Sequence, residues 1–256
     1  MKKILFICPR NPFSDRFSGD VIRSKKFIYF LSKNNYVKVL SSDLKDSKKK
    51  ESKLSYEGFK EINFIKKIFY IFFSLLKMQP MQLGYFFSPE IKRYVKNNYQ
   101  NYDIIFFQSI RTAQYLPENC RKNCVLDMGD LMSKNYRQTS ARYFFFNPIK
   151  MIYFIESLLV KQYENFCFNK FNKILLLSKK EIDSVKKKYK KKLAQISFGV
   201  DYIYKKYKFH KKNYKILFIG NINYAPNKNA CYEFSNKILP IINKIHSNIE
   251  FHIIGE

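Results

Sequence analysis

The sequence predicts an α/β fold of two parallel-sheet domains, the second only partly present. Three observations carry this expectation. Short runs rich in Ile, Leu, Phe and Val alternate with helix-like segments along the chain, the pattern of a parallel sheet buried on both faces. The run Lys3-Ile4-Leu5-Phe6-Ile7 recurs as Lys215-Ile216-Leu217-Phe218-Ile219, and each copy leads into a polar loop holding Asn and Pro. Each copy also stands where a new strand–helix–strand series would begin, which sets domains at 1–201 and 215–256 with a Lys/Tyr-rich linker at 202–214.

In chain order, Ile4 to Cys8 is the first expected strand. A Pro/Asn loop follows, and Ser18-Gly19-Asp20 opens a helix to about Leu31 with one apolar face. Val37 to Leu40 is the second strand, residues 41–53 a solvated loop, and Phe59 to Phe64 the third strand. Lys66 to Lys77 is a helix apolar over most of its circumference. Core packing is the expectation for it, and contact with a membrane the alternative. Ser88-Pro89-Glu90 starts a helix, with Ser at the cap and Pro in the first turn. Strands are expected at Asp103 to Phe107 and Cys124 to Leu126, and a long helix at Ile149 to Phe168. Glu156 and Glu164 on that helix are expected on a solvated face. Ile174 to Leu177 ends in the capping box Ser178-Lys179-Lys180-Glu181. Leu193 to Phe198 closes the first domain, and Gly199-Val200-Asp201 turns away from it. Ligands of parallel sheets sit beyond the strands' carboxyl ends, so the candidate loops follow residues 8, 107, 126, 177, 198 and 219.

The formal charge of +28 comes from 48 basic and 20 acidic residues, and only eight of the basic ones are Arg. An anionic membrane surface or nucleic acid would suit it. A bias towards Lys, Asn, Ile, Phe and Tyr also accounts for it, and is the reading preferred here. No RRM, KH or zinc-finger pattern is visible, so specific nucleic-acid recognition is not expected. The missing Gly-rich dinucleotide fingerprint argues against NAD. Five Cys without framework spacing fit a reducing cytoplasm. No signal peptide precedes the first strand, and the Ile68 to Leu76 run is far short of the ~20 residues that span a bilayer.

Four stretches could carry chemistry. Gly19 before a helix would let backbone N–H groups approach an anion, with Asp20 and Arg23 beside it. An ordinary turn with a surface Arg is the plain alternative, and Arg23→Ala is expected to leave the melting temperature nearly unchanged. Asp127 and Asp130, with Ser133, could orient hydroxyls or act in acid/base work. A solvated Asp127 and a helix-capping Asp130 stand equally against that. Gln108 follows another strand end. Gly220, Asn221, Tyr224, Asn227 and Lys228 offer close approach and hydrogen bonds after the repeated strand, against a structural Asn/Pro turn. No His precedes His210, so no His base is expected in the first domain.

The stretch Gly220-Asn221-Ile222-Asn223-Tyr224-Ala225-Pro226-Asn227-Lys228-Asn229-Ala230, then Phe234, Ile238-Leu239-Pro240 and Ile253-Ile254-Gly255, resembles the start of the second domain of a GT4-type glycosyltransferase. The similarity is to the sugar transferases with a G-x-x-x-Y-x-P-N loop. It implies a GT-B fold of two Rossmann-like domains. It implies transfer of a sugar from a nucleotide-sugar to a glycan or lipid-linked acceptor at the cytoplasmic face, with retention, without a metal and with no cofactor beyond the donor. The location implied is cytoplasmic, with peripheral contact on the inner face of the plasma membrane as a variant. The resemblance assigns Asp127 and Asp130 to catalysis. It assigns Gly19, Asp20, Arg23, Gln108 and Ser133 to acceptor or phosphate, and Gly220, Asn221, Tyr224, Asn227 and Lys228 to the donor. Many relatives have Gly-Gly where this chain has Gly19-Asp20, and an Arg where Asn221 stands. An E-x7-E segment is expected beyond residue 256, so the chain as given is expected to hold nucleotide-sugar poorly and transfer nothing. The alternative is a non-catalytic basic α/β module on anionic membrane or nucleic acid.

Overall fold

The structure, a computed structural model, describes the chain except for residues 16–17, 45, 145, 200–213, 247–248 and 256. It falls into two compact units, Met1–Gly199 and Val200–Glu256. The expected linker and the turn at 200–201 lie outside the described residues, save Tyr214, which starts a strand.

The first unit is an α/β sheet of β1 (Lys3–Cys8), β2 (Tyr36–Asp43), β3 (Ser47–Lys50), β4 (Leu54–Lys60), β5 (Ile104–Gln108), β6 (Asn123–Gly129), β7 (Lys173–Leu176) and β8 (Leu193–Gln195). Its order is β3-β4-β2-β1-β5-β6-β7-β8, and only the β3–β4 pair is antiparallel. The helices are α1 (Gly19–Ser32), α2 (Phe64–Leu76), α3 (Met81–Tyr85), α4 (Pro89–Asn98), α5 (Met132–Ala141), α6 (Pro148–Lys170) and α7 (Lys179–Ser184). The mostly parallel order is compatible with a Rossmann-like fold. β1 has β2 on one side and β5 on the other, so the direction of winding reverses between β1 and β5. At such a reversal a crevice opens beyond the carboxyl ends of the strands.

Both faces of the sheet are covered, as the apolar strands require. Leu5 and Ile7 join one core with Ile91 and Val95 of α4 and with Val160 and Phe168 of α6. Ile4, Phe6 and Cys8 join the other with Val37, Val39 and Ile28 of α1. Strand alternation thus sends neighbouring residues of β1 to opposite layers, and the Phe6 ring stacks on Phe106 at 4.5 Å.

Several local expectations are corrected. Residues 41–53 are not a loop: they carry the end of β2 and the strand β3. β3 is Ser-Lys-Lys-Lys, an outer strand whose lysines deter further pairing and give no apolar signal. The third parallel-sheet strand lies at Leu54–Lys60, where Leu54, Tyr56 and Gly58 are buried, rather than at 59–64. Phe64 instead opens α2, capped by the Asn63 side chain, which accepts from the Lys66 N–H at 3.0 Å. α2 is not a core helix. Ser74 is its one buried residue, while Phe64, Ile65, Ile68, Phe69, Phe72 and Leu76 are exposed. α2 rests on α3 through backbone: a Cβ at Gly84 would clash with the Tyr70 carbonyl and the Ile71 nitrogen.

The acidic residues of α6 and α7 are corrected as well. Glu156 and Glu164 are buried, not solvated. Glu156 accepts from the backbone N–H groups of Met81 and Gln82 at 2.8 and 3.2 Å, at the start of α3. Glu164 accepts from the Ser133 N–H at 2.9 Å and its hydroxyl at 2.6 Å, at the start of α5. Ser178 makes no side-chain cap bond to α7. The Glu181 carboxylate reaches instead to the Leu131 N–H at 2.8 Å. Each glutamate satisfies helix-start donors of another segment, which also favours negative charge there.

Burial pushes the Glu164 carboxyl above its ordinary 4.5, against the pull of the Ser133 donors. A carboxyl raised in the folded state contributes fully below that ordinary value, and the contribution drains as pH rises through the raised one. Glu164→Gln cannot ionise. Its stability relative to wild type is therefore expected to improve between mildly acidic and neutral pH in urea unfolding. A gap that does not move with pH would show that the carboxyl ionises as readily folded as unfolded.

The second unit holds β9 (Tyr214–Ile219), α8 (Ala225–Glu233), a π-helical turn at Phe234–Ile238, α9 (Leu239–Ile245) and β10 (Ile249–Ile254). β9 and β10 pair in parallel, Ile216 beside Phe251. Leu217, Ile219, Ile253 and Ile254 are exposed.

Candidate anion-binding site

The loop after β1, the start of α1 and the turn after β5 meet at the winding reversal. Ser109 follows β5 with φ 73°, a left-handed conformation uncommon for a residue with a Cβ. Hydrogen bonds hold it there. The Ser109 N–H donates to the Asp127 carbonyl at 2.7 Å. Its hydroxyl accepts from the Arg111 N–H at 3.4 Å, and the Thr112 hydroxyl donates to the Gln108 and Ser109 carbonyls at 3.0 Å. This turn leads into the 3-10 stretch Ile110–Tyr115 and delivers Arg111 to the sheet end.

Arg111 meets Arg10, from the loop after β1, over one ring. Their guanidinium carbons lie 4.4 and 5.0 Å from the Phe86 centroid, a favourable place for a cation. Arg111 Nε donates to Gln82 Oε1 at 3.1 Å, and Arg10 pairs with Asp20. Asp20 also accepts from the Ser18 hydroxyl at 2.6 Å. Burial works against ionisation of Asp20, but Ser18 and Arg10 outweigh it and hold the carboxyl below its ordinary value. Burial first, and then the Arg10 charge, press Arg111 below its own.

Two guanidinium groups against one carboxylate leave a net positive charge. Among the described residues the Gln82 Nε2 is buried with no hydrogen-bond partner, an exception of the kind that calls for an explanation. Arg10, Arg111 and Gln82 Nε2 are all donors, and the dipole of α1 adds positive potential at its start. This set suits an oxyanion with several acceptor oxygens, such as a phosphate. A cavity of about 320 Å³, lined by Arg10, Phe86, Tyr85, Lys67, Glu61 and Ser42, adjoins the Arg10 side of the pair.

The residues expected from sequence divide. Asp20 and Gln108 are in the site, the Gln108 amide donating to the Asp20 carbonyl at 3.5 Å. Gly19 stands at the start of α1, where a Cβ would meet only the Phe198 ring, at an ordinary 3.6 Å. Arg23 and Asp127 are held to each other. Arg23 Nε and an Nη donate to the two Asp127 oxygens at 2.7 and 2.8 Å, and both residues are buried. Arg23 also lies over Phe27 and Phe198, at 4.9 and 5.4 Å. Asp127 is therefore not solvated, and Arg23 is not a surface residue. Burial pushes the Asp127 carboxyl up while Arg23 pulls it back. Gly129, at φ 72°, follows a bulge in β6 and lets the chain leave the sheet at Asp130. Asp130 is exposed and does not cap α5. Ser133 is buried and engaged by Glu164.

In the second unit the loop after β9 has the features of a structural turn. Asn227 Nδ2 donates to the Asn221 carbonyl at 2.9 Å, and a Cβ at Gly220 would press on that same amide. Asn221, Tyr224 and Lys228 are exposed around it. Sequence reasoning missed Arg10, Arg111 and Gln82. The signal for the first two was position, because both lie in loops after residues 8 and 107, which the strand-end rule had already selected. Gln82 comes from a helix remote in sequence. Among the described residues no three His, Cys, Asp or Glu side chains cluster to hold a metal ion, and no helix is long and apolar enough to cross a membrane. The chain matches no known protein family and no curated protein.

Proposed function

We propose that the first unit holds the phosphate-bearing part of a substrate between β1 and β5, and that the protein is a GT-B-type glycosyltransferase of the GT4 kind, the chain as given holding nucleotide-sugar poorly and transferring nothing. The observation that carries the site is the Arg10–Arg111 pair over Phe86, beside the start of α1 and the Gln82 donor. The observation that carries the chemistry is the resemblance of the Gly220 to Asn227 loop to that of sugar transferases. Arg10 and Arg111 take over the phosphate-holding role that the resemblance gave to Arg23, whose guanidinium is engaged by Asp127. Asp130, exposed at the end of β6, is the carboxylate free to orient a sugar hydroxyl. Asp127 is a positioning residue that fixes α1 against β6 through Arg23. The donor is a nucleotide-sugar and the acceptor a glycan or lipid-linked sugar, with retention and no metal requirement as the resemblance implies.

Titration calorimetry of the whole chain with pyrophosphate, UDP and a panel of UDP- and GDP-sugars tests both parts. Pyrophosphate is expected to bind, and Arg10→Ala or Arg111→Ala to weaken it by about tenfold, or ~1.4 kcal/mol, each. No binding of any of these anions would remove the site. Nucleotide-sugars are expected to bind no more tightly than pyrophosphate in the chain as given, and micromolar binding of one of them would show that the donor site is already present and overturn its assigned place.

A further inference from the structure

The apolar side of α2 faces away from the protein. Phe64, Ile65, Ile68, Phe69, Phe72 and Leu76 are 51–76% exposed, while the backbone at Tyr70 and Ile71 is pressed against Gly84. A stripe along α6 does the same, with Met151, Ile152, Ile155, Leu158 and Phe166 exposed at helical spacing. The two faces meet at a groove of about 450 Å³, where Phe166 lines one wall and Phe69 and Phe73 another. Apolar surface on this scale marks an interaction site.

Charge selects the occupant. Lys66 and Lys77 are exposed on or beside α2, and Lys77 and Lys92 line the groove. The whole chain carries +28, so apposing two copies through a lysine-flanked face adds repulsion to every contact. An anionic lipid surface supplies the opposite sign, at ~1 kcal/mol for each basic residue near it. At ~1.5 Å per residue, α2 is about 20 Å long, too short for a hydrocarbon core of about 30 Å. An amphipathic helix of this kind lies in the interface plane with its apolar side in the acyl region.

We propose that the outer face of α2, continued by the apolar stripe of α6, is a docking surface for a bilayer rich in anionic lipid. The surface stands whether or not the chain transfers sugars. Lys67 and Glu61, at the start of α2, line the cavity that also holds Arg10, so docking sets the membrane beside the candidate anion site.

Vesicle co-sedimentation of the whole chain is the test. Wild type is expected to bind vesicles of phosphatidylglycerol and phosphatidylcholine about tenfold more tightly than phosphatidylcholine alone, and to release at high salt. Ile65→Ser/Phe69→Ser/Phe72→Ser changes only exposed side chains, so its circular dichroism and melting should match wild type while anionic binding falls about tenfold. Lys66→Glu/Lys77→Glu, with the apolar face intact, should lower anionic binding towards the neutral-vesicle level. Binding to neither vesicle, or equally to both, overturns the proposal. So does a triple serine variant that binds like wild type, or a wild-type dimer without lipid affinity that the triple variant splits.

Discussion

Breaking the Arg23–Asp127 pair should lower the melting temperature by roughly 6–20 °C. Arg23→Ala and Asp127→Asn each strand a charge or its partner among buried groups, since the two side chains are 6% and 1% exposed. Removing one partner of a buried pair costs about 3–5 kcal/mol, and each kcal/mol shifts melting by roughly 2–4 °C in a chain of this size. The bonds join α1 to β6 across 104 residues of sequence, so the loss falls on the sheet and not on one helix. Arg23 also gives up its place over Phe27 and Phe198. The matching double change, Arg23→Met with Asp127→Leu, removes both charges and should recover most of the loss. This reverses the expectation from sequence, in which Arg23→Ala left the melting temperature nearly unchanged. A melting temperature unchanged in Arg23→Ala would mean the pair is solvated in solution, and would return Arg23 to the list of anion-binding candidates.

The contrast shows what could be read from the chain. β1, β5, β6 and β7 were legible because strands buried on both faces are continuous apolar runs, and the strand-end rule then pointed to the loops that hold Arg10 and Arg111. β3 was not legible because Ser-Lys-Lys-Lys pairs through backbone alone at a sheet edge. α5, with Met132 as its only large apolar side chain apart from Tyr136, entered only as the helix of the Asp130-cap alternative, for a similar reason. The roles of Glu156 and Glu164 were hidden because their partners lie 75 and 31 residues away. A local pattern reports only that a carboxylate sits on a helix. α2 failed differently. Its existence was plain, but the side that packs inward is the narrow one holding Tyr70 and Ser74, while the broad apolar side stays exposed, the reverse of a core helix. That side was decided by Gly84, a residue outside the helix.

Gly84→Ala is accordingly expected to loosen α2 while leaving the anion site in place. The new methyl would meet the Tyr70 carbonyl and the Ile71 nitrogen, and backbone cannot rotate aside as a side chain can. One helix must move. α3 is tied at its start by Glu156 to Met81 and Gln82, and Gln82 in turn takes the Arg111 hydrogen bond. α2 has a cap at Asn63, an ion pair between Lys67 and Glu61, and Ser74 as its one buried residue. It is the weaker of the two and should yield, taking Tyr70 from its place 4.6 Å from the Phe87 ring. Overpacking of this kind costs about 3 kcal/mol, paid here as local opening as much as global unfolding. Trypsin should therefore cut the variant faster than wild type at Lys66, Lys67 or Lys77, while pyrophosphate affinity stays within a few-fold. Unchanged cleavage together with unchanged melting would show that α2 does not rest on Gly84. Loss of pyrophosphate binding alongside faster cleavage would show that α3 moved instead, and that Arg111 depends on the α2–α3 contact for its place over Phe86.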